Sequence, residues 1–303
     1  MADLTYANIE TRVANQLRMP TSNTAEMTKI QALINECYRD IYAKDDWWWG
    51  LKLQIINTVN DRTTGTASVT NASTSVTMSS ALPSALTGFR FLVSGDRDYA
   101  AYVISSGASG GTSLVLDGAY SGVTSTAASY RASQDTYSLA TDTNKVLSVR
   151  RYGRDVPIKR VGMDQMAMLK MNSRSVGKPD AYCVYDFATS GDPQVARRIV
   201  FHPYPDDTYR LEVLYKQTLN TEISGTTEFF IPDDYRQLLV YGALARGYPI
   251  FLNDLERGQY FQSLFNDLMN LMMAAQREYA RDLPSVAPDD SYRRGRRPRM
   301  GRG

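Results

Sequence analysis

Apolar residues recur every three or four positions near both ends of the chain, which is the spacing of an amphipathic helix. The first such segment places apolar side chains at Tyr6, Ile9, Val13 and Leu17, and Pro20 follows it. A proline just beyond the last periodic residue is typical of a helix end. The pattern therefore predicts a first helix that ends shortly before Pro20.

A second helix is predicted to begin near Asn23 and to end near Asp45. Asn23 with Glu26 three residues later matches a capping box, in which two side chains bond the free N–H groups at a helix start. Cys37 falls on the apolar stripe of this helix, so we expect a small core residue there. The two helices together predict a helical hairpin.

Two more helices are predicted towards the C-terminal end. One starts at Pro232, whose missing N–H suits a first helical turn, and is expected to stop at Pro249. The last starts at Asn253 and continues to about Arg281, and its apolar stripe widens over residues 268–273. Packing of long helices between subunits would use that extra width. The predicted subunit-contact residues of this helix are Met269, Met272 and Met273.

Between the helical regions, residues 63–133 are rich in Ser, Thr, Gly, Ala and Val. Short alternating runs are separated there by turn residues at roughly ten-residue spacing, which predicts a small all-β module inserted between helical regions. Later alternating runs predict the strands of a small sheet, joined by a short Met-rich helix. Those runs cover residues 146–151, 181–187, 198–202 and 209–216.

The combined pattern predicts an α+β protein: a helical-bundle body with a small antiparallel sheet, an inserted all-β module and an extended C-terminal arm. Residues 1–62 are predicted to form the helical hairpin and the first strand of the body, and residues 63–133 the inserted module. Residues 134–283 would supply the small sheet and the long C-terminal helices. Residues 284–303 form the predicted arm.

Composition disfavours most catalytic chemistry. The chain has one histidine, two cysteines and 20 tyrosines against 9 phenylalanines, so a histidine-based triad or metal site has few possible members. Abundant tyrosine is typical of contact surfaces. We expect no enzyme, no catalytic or metal-binding residue and no cofactor. No apolar stretch approaches the ~18 residues of a membrane span, and the first residues lack the features of a signal peptide.

One serine matches a catalytic motif. Gly107, Ser109 and Gly111 have the G-x-S-x-G spacing of the hydrolase nucleophile elbow, which requires a helix after the serine. A strand-like run follows Ser109 instead, so we interpret the motif as a turn.

Charge is distributed unevenly. The chain carries 34 basic and 32 acidic residues, and the last thirteen positions hold six of the arginines and no acid, which leaves 28 basic against 32 acidic residues elsewhere. Such a tail is compatible with a solvated end, with nucleic-acid binding through phosphates, or with an arm that orders against an acidic groove of a protein partner. The arginines of this arm are Arg293, Arg294, Arg296, Arg297, Arg299 and Arg302.

Three adjacent indoles, Trp47, Trp48 and Trp49, cannot all point into one core from a helix or a strand. One or two of them are expected to pack between the helical hairpin and the sheet. The alternative is that one is exposed at a subunit contact, where tryptophan is favoured. Both interpretations stay open, and all three are candidates for contacts between subunits.

The order of elements and four short runs carry a resemblance to a known family. The runs cover residues 177–182, 199–206, 209–215 and 231–245 and read GKPDAY, IVFHPYPD, YRLEVLY and IPDDYRQLLVYGALA. With two N-terminal helices and a Ser/Thr-rich β insertion, the chain resembles the head-to-tail adaptor (connector, or tail accessory) proteins of tailed bacteriophages over residues 1 to about 283.

The resemblance implies a structural virion protein at the head–tail junction, made in the host cytoplasm. Such adaptors form a ring, usually of twelve copies, that joins the portal protein to a tail nozzle or tube protein. The arginine arm would dock on the portal, and genomic DNA would pass through the lumen without sequence-specific binding. Because gripped DNA could not slide, we expect a neutral or acidic lumen wall. The alternative is a nucleic-acid-binding protein that works through the arginine tail.

Overall fold

In the computed structural model, the first two helices follow the local sequence pattern. Helix α1 spans Tyr6–Gln16 and α2 spans Thr24–Lys44. The side chain of Asn23 accepts a hydrogen bond from the backbone N–H of Ala25 at 3.1 Å, and Asp45 is the C-cap of α2. Both predicted helices and their ends are confirmed. The structure describes residues 4–94, 101–153, 157–172, 175–187, 196–219 and 230–282.

The described residues contain three more α-helices, two 3₁₀ helices and fourteen strands. The remaining helices are α3 (Met163–Asn172), α4 (Gln237–Leu252) and α5 (Leu255–Asp282), and the 3₁₀ helices are Trp48–Gly50 and Asp233–Tyr235. The first seven strands are β1 (Leu51–Asn57), β2 (Ala67–Val69), β3 (Ser75–Met78), β4 (Arg90–Val93), β5 (Tyr102–Ser106), β6 (Ser113–Leu116) and β7 (Ser125–Ala128). The others are β8 (Tyr130–Ser133), β9 (Thr136–Ser138), β10 (Thr143–Arg151), β11 (Lys159–Arg160), β12 (Ala181–Phe187), β13 (Ala196–His202) and β14 (Arg210–Gln217).

The predicted fold class is wrong. The strands form sheets of three, four and seven members, while the same residues hold only five α-helices, so the protein is rich in β-sheet and has no helical-bundle body. The chain divides into two compact units, a β unit of residues 52–216 and a terminal unit of residues 1–51 and 217–303. The apolar periodicity of the helices is easier to detect in the sequence because each helix is longer than most of the strands. The short strands form sheets only by pairing with distant segments, which a local pattern does not show.

The seven-stranded sheet of the β unit nearly closes into a barrel. Its strands are paired antiparallel in the order β7-β2-β3-β6-β5-β4-β8, and the two outer strands are separated in the chain by Ser129 alone. Alternate residues point inwards, as the period of a strand requires. Phe91, Ile104 and Leu114 are fully buried in its core. Closure of this kind leaves few exposed strand edges.

The other two sheets of the β unit have the orders β1-β14-β10 and β11-β12-β13-β9. Leu211, Val213 and Tyr215 of β14 face a shared core, as their period-two spacing predicts. Lys216 is also buried, although period-two alternation turns it away from that core.

A buried carboxylate connects separate elements of the β unit. The Asp135 side chain is 0% exposed, and one of its oxygens contacts Nζ of Lys170 on α3 and lies 3.5 Å from Nε of Arg90 on β4. Its other oxygen accepts a 2.9 Å hydrogen bond from the Thr136 hydroxyl. The backbone oxygen of Asp135 also accepts from the N–H of Phe201 at 2.9 Å. Asp135 therefore holds α3 and β4 through charge and β13 through its backbone.

In the terminal unit, α1, α2, α4 and α5 surround one apolar core. Helices α2 and α4 approach so closely that a Cβ at Gly242 would lie 2.1 Å from Sγ of Cys37. The predicted stop at Pro249 is wrong, because α4 continues to Leu252 with Pro249 inside it. The lost hydrogen bond frees the Ala245 carbonyl. Gly258 packs against this point, where a Cβ would lie 2.7 Å from Pro249 and 3.2 Å from that carbonyl oxygen.

The C-cap of α4 is Asn253, which has a left-handed backbone with φ of 52°. The N-cap of α5 is consequently the next residue, since the Asp254 carboxylate accepts a 3.0 Å hydrogen bond from the N–H of Arg257. The prediction of Asn253 as the cap was off by one position. Across the described segments, no helix has the length and apolar character needed to cross a membrane.

Candidate subunit-contact surface

Helix α5 presents one packed side and one exposed side. On the packed side, the Phe261 ring stacks on Tyr248 of α4 with 5.3 Å between centroids, and Met269 and Met272 are buried. On the exposed side, Tyr260 and Leu271 are 61% and 63% exposed. At 100° per residue they lie about 20° apart around the helix and about 16 Å apart along it. The helix therefore carries apolar side chains on its solvent side as well as in the core.

A groove of about 630 Å³ adjoins Leu271, between α5 and the 3₁₀ helix Asp233–Tyr235. The small side chains of Ala274 and Ala275 in this groove allow close approach of another chain. The groove mixes apolar and charged groups, as an interface with a polar rim does. Its lining residues are Asp234, Tyr235, Leu271, Ala274, Ala275, Arg277 and Glu278.

A second apolar patch lies at the corner between α4 and α5. Ile250, Leu252 and Leu255 are exposed there, with Leu255 64% accessible. Leu255 and Leu271 are sixteen positions apart, which is about 24 Å along α5 and about 160° around it. The terminal unit thus has two apolar patches that point in nearly opposite directions around α5.

The three tryptophans differ in their burial. Trp47 is fully buried, its indole N–H donates to the Ile41 carbonyl at 2.6 Å, and its ring lies parallel to that of Trp49 with centroids 6.1 Å apart. Trp48 is half-buried, and its backbone N–H donates to the Gln276 side chain at 2.9 Å. Trp49 is also half-buried. Trp47 is a core residue of the single chain, while Trp48 and Trp49 keep some surface for a partner.

The predicted methionines divide in the same way. Met269 and Met272 lie in the core, and Met273 is partly exposed. Contact between subunits stays a prediction for all six residues, and in this fold Trp48, Trp49 and Met273 are the ones with accessible surface. The three- and four-residue spacing of apolar positions predicts Leu271 in the core stripe of the last helix, although its angle on α5 differs from that of Met269 by about 160°. That angle is the sequence signal that Leu271 faces solvent.

The structure shows the surroundings of Cys37, His202 and Ser109. Burial raises the pKa of the Cys37 thiol to about 12, which keeps it protonated, and this cysteine is a core residue as predicted. Burial also lowers the pKa of His202, although Asp180 opposes that effect. Ser109 lies in the turn before strand β6, which confirms that its motif is not a strand–helix elbow. Among the described residues no group of His, Cys, Asp and Glu is arranged to hold a metal ion.

The family model described as SU10 adaptor protein matches residues 116–289, which is more than half of the chain. The chain belongs to the SU10 adaptor protein family. This is a family of phage head–tail adaptors, which are structural proteins and are not known as enzymes. No curated protein matches the sequence.

Membership in the SU10 adaptor family confirms the predicted phage adaptor at the coarse level of a structural component of the virion at the head–tail interface. It also implies contacts with portal and tail proteins. The matched region begins at the end of β6 and includes α4 and α5, so both apolar patches lie inside it. The six arginines of the predicted portal arm lie outside the residues that the structure describes.

Proposed function

We propose that this adaptor forms a closed ring that joins the portal to the tail and lets the genome pass through its lumen. The ring is proposed to have twelve copies, with a neutral or acidic wall. The family match supports an adaptor role, and the two apolar patches at Leu255 and Leu271 support a ring. A two-fold dimer reuses one patch on both partners, whereas a ring joins two different patches of each subunit.

The patches predict a specific assembly defect. Leu271→Glu or Leu255→Glu should each stop ring growth, because a charge would be buried without a partner at the contact. Both leucines are exposed, so the single chain should keep its fold. The molar mass of each variant, measured by light scattering with and without portal protein, checks this. Asn270→Glu, at an exposed neighbouring position with the same added charge, should assemble as the native chain does.

Mixing the two leucine variants tests which patch meets which. The Leu271→Glu variant keeps the Leu255 patch, and the Leu255→Glu variant keeps the Leu271 patch. If the contact is head-to-tail, these two intact patches bind each other, and the mixture forms a dimer with one copy of each variant that cannot grow further. A two-fold contact would not give that mixed pair. If native protein stays monomeric even on the portal, or if both variants form full rings, the ring proposal is wrong.

The arm that carries Arg293 and Arg302 is proposed to dock on the portal. Deleting residues 285–303 should leave the far-ultraviolet circular dichroism of the body unchanged and weaken portal binding at least tenfold, because six charged donors are lost. Replacing the six arginines with lysine is the matched control, which keeps the charge but loses bidentate hydrogen bonds. Unchanged portal binding together with a lost, salt-dependent affinity for DNA would instead favour the nucleic-acid-binding alternative.

A further inference from the structure

A second surface feature, in the β unit, has no part in the adaptor contacts above. A pocket of about 230 Å³ forms where the end of β10, the start of β14 and the loop before β12 meet. Three cationic side chains line it, together with two tyrosines and a threonine. The lining residues are Arg151, Tyr152, Lys178, Thr208, Tyr209 and Arg210.

Main-chain hydrogen bonds hold the segments that carry these cations. The N–H of Tyr152 donates to the Arg210 carbonyl at 2.9 Å, which fixes the end of β10 beside the start of β14. The N–H of Gly177 donates to the Tyr204 carbonyl at 2.9 Å, which fixes the loop that carries Lys178. The backbone of Arg210 itself, the residue after Arg151 and the residue before Lys178 are thus each fixed by a main-chain hydrogen bond.

Within the described residues, none of the three cations of this pocket forms an ion pair. Nε of Arg151 is buried and has no hydrogen-bond partner in the described part of the chain. The Arg210 guanidinium lies 4.0 Å from the centre of the Tyr152 ring, as a cation–π contact rather than an ion pair. Two acids, Asp206 and Asp207, lie beside the pocket and act on Tyr209, and Asp206 accepts a 2.6 Å hydrogen bond from the Tyr209 hydroxyl. Burial and this carboxylate raise the pKa of Tyr209 to about 12, so the tyrosine adds no negative charge.

We propose that Arg151, Lys178 and Arg210 bind a phosphate group, supplied by the backbone of single-stranded nucleic acid. Guanidinium groups donate two hydrogen bonds to phosphate oxygens, and three cations suit an anion that carries one or two charges on several oxygens. The volume is below the ~300–1,000 Å³ of pockets that enclose a whole drug-sized ligand, so it fits a group of a larger chain.

The exposed tyrosine is the reason to assign the phosphate to nucleic acid. Tyr152 is 54% exposed, and only one face of its ring can be covered by Arg210. The exposed part of the ring can stack a base, as aromatic side chains do in single-strand binding grooves. A cationic pocket beside a stacking platform therefore matches one nucleotide of a flexible strand. Because this site needs neither the ring nor the portal, its test is independent of the proposed function.

The test compares the affinity of full-length variants for a fluorescent twelve-nucleotide oligothymidylate by anisotropy at several salt concentrations. Lys178→Gln/Arg210→Gln removes two exposed cations of the pocket, and Lys29→Gln/Lys159→Gln removes two exposed cations elsewhere. The pocket variant should bind about tenfold more weakly, and its slope of log K against log salt should fall by about 1.4, at about 0.7 for each lost phosphate contact. The control should keep the native slope. All four positions are exposed, so circular dichroism should match the native protein.

Titration calorimetry with sodium phosphate distinguishes the two sources of the ligand. Loss of oligonucleotide affinity in the pocket variant supports a backbone phosphate. If the pocket variant loses only the heat of inorganic phosphate binding and keeps its oligonucleotide affinity, the phosphate site is supported with a free anion as its ligand. If the pocket variant and the control bind both probes equally, the phosphate-site proposal is overturned.

Discussion

Replacing Asp135 with alanine is expected to destabilise the β unit by about 3–5 kcal/mol. The carboxylate is fully buried and faces Lys170 and Arg90, so its removal leaves buried positive charge without compensation. The Thr136 hydroxyl also loses its acceptor. Urea denaturation, with amide hydrogen exchange of β4 and α3 to localise the effect, measures this loss.

The matched control is an exposed ion pair of the same unit. Asp186 lies 2.9 Å from Nε of Arg197 and is 53% exposed, so Asp186→Ala should cost less than about 1 kcal/mol. An Asp135→Ala effect as small as that control would show that the buried carboxylate does not hold the unit together.

The Asp135→Ala loss should also depend on pH. Burial lowers the pKa of Lys170, and Asp135 opposes that effect, so the lysine pKa falls further in the variant. A lysine whose pKa in the folded protein is below its unfolded value of ~10.4 lowers the free energy of unfolding when the pH is below the folded pKa. This destabilisation decreases as the pH rises from the folded pKa towards the unfolded pKa. The difference between variant and native protein should therefore be smaller at pH 9 than at pH 7. A difference that grows with pH would contradict the assignment of unpaired charge to Lys170.

Replacing Trp47 with alanine should destabilise the terminal unit by about 3–5 kcal/mol. The indole is fully buried, so the change leaves a large cavity and removes the hydrogen bond to the Ile41 carbonyl. The parallel contact with Trp49 is lost as well. Amide exchange in α2 and α4, as a function of denaturant, measures the effect.

Trp48→Ala is the control for Trp47, because it removes an equal side chain that is only half-buried. Its cost to stability should be clearly smaller, and its effect on assembly larger, if Trp48 contacts another subunit. Equal destabilisation by the two substitutions would contradict the division of the tryptophans into a core residue and a partly exposed pair.

Local signals in the sequence predicted the helices well. Asn23 caps α2 and Asp45 ends it, because a cap depends on the side chain and the few N–H groups beside it. Pro249 shows the limit of such signals. Proline usually ends a helix, but here α5 packs Gly258 against the freed carbonyl and α4 continues to Leu252. The prediction failed because the compensating contact comes from another helix.

The fold class could not be predicted from the same signals. Each strand between residues 67 and 133 has three to five residues, and its alternation says nothing about which strand it pairs with. The pairing of β4 with β8 and β5, and the near closure of the sheet, depend on contacts between distant segments. The predicted domain boundaries at residues 62, 133 and 283 stay predictions.

The sequence by itself determined the amphipathic helices, the buried Cys37, the turn at Ser109 and the resemblance to phage adaptors, since each rests on neighbouring residues or their order. Only the tertiary structure decided which apolar residues face solvent, as Leu271 does. It also decided which charges meet, because Arg151, Lys178 and Arg210 come from three segments that sequence spacing does not relate. Which side chains are buried, and which side chains from distant segments come into contact, depends on how the whole chain folds. A pattern along one segment therefore cannot specify either.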